Sequence, residues 1–504
     1  MSMLKLPKNS PEEKFMFTKQ KASILMIDNE PLMIDRRIIL EAQSLSNHGY
    51  RVVIATRSSP SSKDEFIDNI EIKRFPTDNH QSKHIEKYKN VLDIINKLNN
   101  EPGNHILEAK VRTKLKKAPR KFQTLIYALL RPSVLTSYIK NASPFYKKKQ
   151  NMFDPVIYLL LLRFKSLSPY ILRLYYGIQI KVKGHHNEIF QIQILDFAKN
   201  NLRPDFIHAH DLPNLELGIS ISKLMQIPLI YDAHELYPHQ FFENKSTQSS
   251  LAKKEQKLIG KADAVVAVNQ QCKNILQKAY HDIQEVITLS NATLAPEGFD
   301  PKKKQWLWHD KFNLNKETKI LVFQGGINPS RHIDFLIESL NELPDNIHIG
   351  FITFKKDQPY YLDLTEKLNV THRVHYIFEI PWDEVIHWLA SSDVGIMPYQ
   401  ATNLNAKISS PNKLYEFIQA GLPIIGSSEL INVKHAIESY NLGVCQFFRE
   451  LDSYTTAIQL MFSEELGGPE RFKASVLKAI PEFSWSREEP KLLELYSRLA
   501  HKKR

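Results

Sequence analysis

The stretch Ser409 to Ile425, SSPNKLYEFIQAGLPII, sets a carboxylate inside an otherwise apolar short helix. Ser410 is placed to cap it, Pro411 suits a first turn that needs no N–H, and Gly421 followed by Pro423 ends it. Leu414, Phe417 and Ile418 form the buried stripe, while Lys413 and Glu416 stand three residues apart on another side. The free N–H groups from Ser410 through Asn412 to Lys413 favour phosphate, and Lys413 adds a cation there. One turn further in, Glu416 can accept from two vicinal hydroxyls, as a ribose offers. Diphosphate at the helix mouth and ribose at the carboxylate together describe one ligand, a nucleoside diphosphate. The competing reading is a plain Lys–Glu helix pair, worth roughly a few tenths of a kcal/mol.

Such a helix needs a sheet to hold it. SILMID (Ser23 to Asp28), RVVIAT (Arg51 to Thr56) and IEIKRF (Ile70 to Phe75) are short apolar strands, the first two joined by a helical pattern from Leu32 to Asn47. In that pattern Ile38, Leu40, Ala42 and Leu45 share one side, with Arg36, Arg37 and Glu41 elsewhere. The alternation resumes at DFIHAH (Asp205 to His210), PLIYD (Pro228 to Asp232), AVVAV (Ala264 to Val268) and VITLS (Val286 to Ser290), with helices between them. A second set runs through KILVFQGG (Lys319 to Gly326), IHIGFIT (Ile347 to Thr353), VHYIF (Val374 to Phe378), VGIMPY (Val394 to Tyr399) and PIIGS (Pro423 to Ser427). The expected fold is α/β: two tandem doubly wound parallel-sheet, Rossmann-like domains facing across a cleft. Pro, Gly and Asp gather near Asn291 to Pro301 and mark the join. Ligands of such sheets bind beyond the carboxyl ends of the strands.

The chain has 504 residues, 42% hydrophobic and 24% charged, which fits a globular protein of two or three domains. Cys272 and Cys445 are far apart in sequence and imply neither a disulfide framework nor a thiolate metal site. The first residues lack the apolar core of a secretory signal, and the longest apolar run, Val156 to Leu162, is far short of the ~20 residues a membrane span needs. A cytoplasmic protein is therefore expected. The net charge of +12 is concentrated: Lys110 to Lys183 holds 17 Lys or Arg against one acid, Asp154. Aromatic and aliphatic residues are interleaved there, so the segment reads as amphipathic helices with basic rims. Those suit the anionic inner face of a membrane, on which the protein would be peripheral. The alternatives are a helical insertion with solvated charge, or single-stranded nucleic acid. No nucleic-acid motif accompanies the patch, so nucleic acid is not the expected partner.

SPNKLYEFIQAGLPII resembles the donor-binding helix of retaining family 4 glycosyltransferases, which have the GT-B architecture. DRRIILEAQSLSNHGYRVVIAT, PDFIHAHD, PLIYDAHELYP, VITLSNA, LVFQGGINPSRHIDFLIESL and FSWSREEPKLLELYSRL resemble further segments of that family, in the same order. The resemblance implies a polar tail over 1–21 and an acceptor-binding domain over 22–298 with an insertion at about 99–190. A nucleotide-sugar-binding domain over 299–480 and a terminal helix over 481–504 that packs back on the first domain would complete it.

The resemblance also implies roles. Arg331 matches the family's phosphate-contacting arginine, and its guanidinium grips two oxygens with fixed geometry. It would share the diphosphate of a UDP- or GDP-sugar with Lys413 and the amides around Ser410 and Asn412, while Gly325 and Gly326 let backbone approach the ligand. Glu416 matches the second carboxylate of the family's Glu-x7-Glu pattern. The first falls at Ile408, where no carboxylate exists, and Asn405 or Lys407 would take its place. His234 matches the histidine near the donor sugar, with Glu235 beside it pointing elsewhere. Asp28, Asn29, Arg36, His210 and Asp211 would meet the acceptor, a lipid-linked or oligosaccharide chain; for His210 and Asp211 a purely loop-ordering role is the alternative. No Asp-x-Asp pair and no zinc spacing occurs, so neither metal nor cofactor is expected. The implied function is retaining sugar transfer in cell-surface polysaccharide synthesis. A nucleotide-sugar epimerase of the same architecture, or a silent nucleotide-sugar or glycan-binding protein, is the alternative.

Overall fold

The computed structural model describes residues 21–30, 34–58, 64–75, 187–240, 245–327 and 331–502. The chain divides into two compact units, Met1–Thr56, Asp64–Lys73 and Leu202–Arg504 forming the first and Arg57–Lys63 and Arg74–Asn201 the second. In the second, the Phe75 ring meets the edge of Phe197 at 5.6 Å between centroids, and the Arg57 guanidinium lies 5.6 Å above the Phe190 ring. The basic segment 110–183 lies outside the described residues.

Two sheets organise the molecule. The first has eight strands: β1 Ser23–Ile27, β2 Arg51–Arg57, β3 Glu65–Ile67, β4 Ile70–Phe75, β5 Phe206–His210, β6 Leu229–Ala233, β7 Ala264–Ala267 and β8 Val286–Thr288. Their order is β3-β4-β2-β1-β5-β6-β7-β8. The second has six: β9 Lys319–Gln324, β10 Ile347–Thr353, β11 Val374–Phe378, β12 Val394–Met397, β13 Ile424–Ser427 and β14 Gly443–Gln446, in the order β11-β10-β9-β12-β13-β14. Strands β1, β5 and β6 are buried along their whole length, as parallel strands covered on both faces must be. The switch points lie between β1 and β5 and between β9 and β12, and the carboxyl ends there are where ligands of such sheets bind.

Some boundaries differ from the sequence reading. The first helix, α1, runs from Arg36 to Asn47 rather than from Leu32, because Asp35 caps it by accepting from the Arg37 N–H at 2.8 Å. Strand β8 stops at Thr288 instead of Ser290. The antiparallel hairpin of β3 and β4 was not anticipated; Asp68, with φ at +52°, makes its turn.

The element that bears Glu416 is held by packing. Helix α2 is taken as Asp211–Met225 and α3 as Asn412–Gln419. Leu414, Phe417 and Ile418 of α3 are buried in the core with Val322, Met397 and Ile424. Gly395 of β12 leaves the space for the Phe417 ring: a Cβ there would lie 2.5 Å from it. The terminal helix α4, Trp485–Lys502, returns to the first sheet, where Trp485, Leu492, Leu495, Tyr496 and Leu499 join Ile38, Ala42 and Leu45 of α1 in one core. Trp485 Nε1 donates to Ser44 Oγ at 2.8 Å. Cys272 and Cys445 are both free thiols, and among the described residues no helix is long and apolar enough to cross a membrane.

Candidate functional site

Strand β9 ends in Gln324, and the chain then turns at Gly325 with φ at +108°. Glycine is required there, since a Cβ would lie 2.7 Å from Lys413 Cε, 3.0 Å from its Nζ and 3.5 Å from Arg331 Nη1. Gly325, Lys413 and Arg331 thus converge on one spot. Arg331 Nη1 donates to the Gly326 carbonyl at 3.0 Å. Beneath both cations lies Tyr399, its ring centroid 5.2 Å from the Arg331 guanidinium and 5.8 Å from Lys413 Nζ. Each cation–π contact orients a long, flexible side chain. Two cations and the amides that open α3, beginning at Asn412, therefore face the same place.

The cap of α3 is Pro411, without a side-chain bond, so Ser410 is not the N-cap the sequence suggested. Its hydroxyl is engaged from the first sheet instead: Asn269 Nδ2 donates to Ser410 Oγ at 3.0 Å and to the Ile408 carbonyl at 2.8 Å. Asn291 Nδ2 donates to the Ser410 carbonyl at 2.8 Å. Two asparagines at carboxyl ends of the first sheet thus fix the helix mouth of the second.

Glu416 is nearly buried, 6% exposed. Its Oε2 accepts from Gln324 Nε2 at 2.8 Å, and its Oε1 is 3.3 Å from Arg36 Nη1. Arg36, expected to meet the acceptor, reaches the carboxylate expected to hold the ribose. Ile408 is in the core at 4% exposure, so the position of the missing carboxylate carries a packing residue. Asn405 joins Glu235 to the following chain: its Nδ2 donates to Glu235 Oε2 at 2.9 Å and its Oδ1 accepts from the Leu236 N–H at 2.9 Å. Lys407 lines a separate surface cavity of about 600 Å³ with Ser428, Lys434, His435 and Phe447.

The first sheet contributes a buried charge network. The β5–β6 register sets His210 opposite Asp232. Period-two alternation puts His208 and His210 on one face of β5, and it does the same for Asp232 and His234 at the end of β6. Asp232 Oδ2 lies 3.1 Å from His210 Nδ1 and 2.9 Å from His234 Nε2. Its Oδ1 accepts from Arg37 Nη2. Arg37 Nε is 3.2 Å from Glu41 Oε1, and Arg37 Nη1 donates to Asn291 Oδ1 and the Leu289 carbonyl, each at 3.2 Å. His208 Nδ1 lies 3.0 Å from the Tyr496 hydroxyl.

Burial alone would raise the Asp232 carboxyl, but Arg37 and His234 outweigh it and hold it well below the usual range. Burial and Arg37 oppose a charge on His234, yet Asp232 overrides both and pushes it up to about 9. Burial pushes His210 down to about 4, and it holds His208 well below its ordinary value. Burial and Asp232 push Glu41 up to about 8. Burial likewise pushes Asp28 up to about 6 and Asp211 up to about 7. Asp211 has φ at +60°, an uncommon conformation for a non-glycine residue, and its Oδ1 is buried without a partner among the described residues. Asn29 follows Asp28 at the carboxyl end of β1, half-buried. Glu41, His208, His210 and Asp232 bring ligand-type atoms within 4.8 Å of one another. Arg37 is paired with both carboxylates of the set, so it reads as an ion-pair network and not as a metal centre.

The sequence reading named Arg36 and passed over Arg37, which is 2% exposed, and Glu41, which is fully buried. The sequence pattern places both off the apolar side of α1. A signal was present: an Arg–Glu pair four residues apart beside a continuous apolar run. The reading also missed Asp232, Gln324, Asn269, Asn291 and Tyr399.

Comparisons with known proteins agree with one another. Residues 176–301 match Glycosyltransferase Family 4, and residues 304–475 match Glycosyl transferases group 1. D-inositol 3-phosphate glycosyltransferase of Corynebacterium diphtheriae is 24% identical over 221 residues, 41% of this chain and 52% of that protein. A Bacillus subtilis protein described as a teichuronic acid biosynthesis glycosyltransferase, TuaH, is 27% identical over 262 residues, 49% of this chain and 62% of that protein. The chain thus spans a little over half the length of these relatives. The structure of Anabaena HepE in complex with UDP-glucose has the same fold, with a TM-score of 0.57 at 11% identity over 95% of this chain and 100% of that one.

Proposed function

Because this chain belongs to Glycosyltransferase Family 4, we propose that it moves a sugar from a UDP- or GDP-linked donor to an acceptor hydroxyl, with retention at the anomeric carbon. The observation that carries this reading is the convergence of Gly325, Arg331 and Lys413 at the opening of α3. The leaving diphosphate gains negative charge as the bond to the sugar breaks. Cations and amides already fixed at that place stabilise it without reorganising. Tyr399 beneath the cations and Asn269 and Asn291 behind the helix mouth supply the fixing.

Glu416 takes the ribose hydroxyls. Its Oε1 is 3.3 Å from Arg36 Nη1; a ribose hydroxyl there takes that contact, and Arg36 keeps the Leu294 carbonyl through Nη2. His234, at the end of β6, faces the donor sugar. The acceptor hydroxyl attacks from the face the diphosphate leaves, and its proton passes to the leaving phosphate. Asp28, Asn29 and Asp211, at neighbouring carboxyl ends, line the acceptor side, and His210 acts there through Asp232. The HepE complex holds UDP-glucose, which supports a nucleotide-sugar donor. The TuaH relative, described by teichuronic acid biosynthesis, supports a role in polysaccharide synthesis. The cationic segment 110–183 suits an anionic membrane surface, where a lipid-linked acceptor resides.

The test is incubation of the purified chain with UDP- and GDP-sugars, with and without glycan or lipid-linked acceptors. Transfer predicts free nucleotide only when acceptor is present. Isomerised donor sugar would instead establish an epimerase, and binding without turnover a silent binding protein. Flotation with anionic vesicles at low salt tests the basic segment; a chain that stays unbound refutes that part.

A further inference from the structure

His234, His210 and His208 form a file running from the cleft into the core, and their exposures differ. His208 is fully buried and His210 is 1% exposed, while the His234 side chain keeps 12%. His208 and His210 stack at 4.4 Å, and His210 meets His234 edge-on at 5.2 Å. Among the described residues the carboxylate that touches the outer two rings is Asp232, through one oxygen. The His210 Nε2 atom is buried without a partner among the described residues, so a second proton on it would have nothing there to receive it. His210 therefore serves Asp232 as a neutral Nδ1–H donor. The His234 Nε2 lies 2.9 Å from the same oxygen and 3.1 Å from His210 Nδ1, so two ring N–H groups converge on one acceptor, and the His234 Nδ1 has no protein partner among the described residues.

We propose that Asp232 and Arg37 are positioning residues for His234: the carboxylate fixes the Nε2 edge of the ring, Arg37 fixes the carboxylate, and His234 enters the cleft as an imidazolium whose Nδ1–H is free to donate to a substrate oxygen. Other groups around the ring come from every element packed against it. Strand β1 brings Asp28, α1 brings Arg37 and Glu41, β5 brings His208 and His210, α2 brings Asp211, and the turn after β6 brings Glu235. Arg37 and the rings oppose the charge. Asp232 is the group in direct contact that favours it, and Asp211 adds to it. The other arm of Arg37 acts on the donor side, because Nη1 bonds Asn291 Oδ1 and Asn291 Nδ2 bonds the Ser410 carbonyl. One buried guanidinium thereby sets both the ring and the mouth of α3. A cationic donor at this place opposes the charge of a departing diphosphate or holds a sugar hydroxyl in register.

The identity of the substrate oxygen rests on the glycosyltransferase reading; the protonation of the ring does not. Nuclear magnetic resonance of the full-length chain with isotope-labelled histidine follows each ring from pH 5 to 10 without substrate, and His234→Asn assigns the signal. The wild-type ring is expected to keep its charge through neutrality and lose it near 9. In Asp232→Asn that midpoint drops by at least about one unit, and turnover falls by at least about tenfold with its alkaline limb displaced to lower pH. The KM for the nucleotide sugar changes by less than about threefold, because the ring acts mainly as the bond breaks. A wild-type His234 that titrates at 6.5 or below overturns the proposal without recourse to any variant. A folded Asp232→Asn chain with an unmoved His234 midpoint also overturns it. Arg37→Lys, which keeps a cation beside Asp232, is expected to retain the raised midpoint even where Asp232→Asn does not fold. Absent turnover with the raised midpoint intact counts against the glycosyltransferase reading and leaves the positioning proposal standing.

Discussion

Substituting alanine at Gly325 tests the cation-lined helix mouth through a position that has no functional group of its own. The new Cβ would lie 2.7 Å from Lys413 Cε and 3.0 Å from Nζ, so the lysine must withdraw. Carbon atoms in ordinary contact stand about 3.5–4.0 Å apart, which moves the ammonium by roughly 1 Å. A charge-assisted hydrogen bond to diphosphate is worth about 1.5–3 kcal/mol, and that displacement forfeits most of it. Binding of UDP or GDP should weaken by about 10- to 100-fold, since each ~1.4 kcal/mol is a factor of ten. The φ of +108° adds a folding cost of about 1–3 kcal/mol. Isothermal calorimetry on Gly325→Ala, Lys413→Ala and the double variant separates the effects. If the alanine acts by expelling the lysine, the double variant binds no more weakly than Lys413→Ala alone. Wild-type affinity in Gly325→Ala, or losses that multiply in the double variant, would refute the reasoning.

Three further outcomes follow from the same geometry. Glu416→Gln weakens the carboxylate that accepts ribose hydroxyls, so preference for UDP over its 2′,3′-dideoxy analogue should shrink by about 1–3 kcal/mol; an unchanged preference contradicts the assignment. Arg37→Met leaves Asp232 and Glu41 buried without their cation, and guanidinium denaturation should show about 3–5 kcal/mol of lost stability. A loss under about 1 kcal/mol would show the network to be ornamental. Stability should also fall as pH rises from about 6.5 to 9: a folded-state value for His234 raised to about 9 means its stabilisation is complete below 6.5 and lost through 9. Glu41, raised to about 8, and Asp211, raised to about 7, act with the same sign. Asp232, held well below its ordinary value, opposes them only in acid. A calorimetric Tm that is flat or rising across that window contradicts the network.

The parallel strands were legible because each is a short apolar run closed by turn residues, and α3 was legible because Gly421 and Pro423 stop it. Lys413 and Glu416 are legible from residue types in a capped apolar helix, whereas Gly325 and Arg331 come only through the family resemblance; the structure draws Gly325, Arg331 and Lys413 together. Arg37 and Glu41 were misplaced for a physical reason. Charge on a helix normally marks the wet face, and only the facing strands reveal that Asp232 and His208 await them inside. Sequence periodicity shows which side chains share a face of one element, but not which polar groups another element brings to meet them. Asn269 and Asn291 escaped notice likewise, since their partners lie 141 and 119 residues away. Ser410 was read as a cap from residue type, yet its hydroxyl answers to Asn269 across the cleft.

The central claim is that one helix opening and one carboxylate grip a single nucleoside diphosphate. The most direct measurement is a crystal structure of the chain with UDP or GDP. The account predicts the diphosphate against Arg331, Lys413 and the amide of Asn412, with the ribose hydroxyls on Glu416 Oε1 in place of Arg36. A nucleotide bound elsewhere, or bound there with Arg36 still on Glu416 and the ribose in solvent, would contradict it.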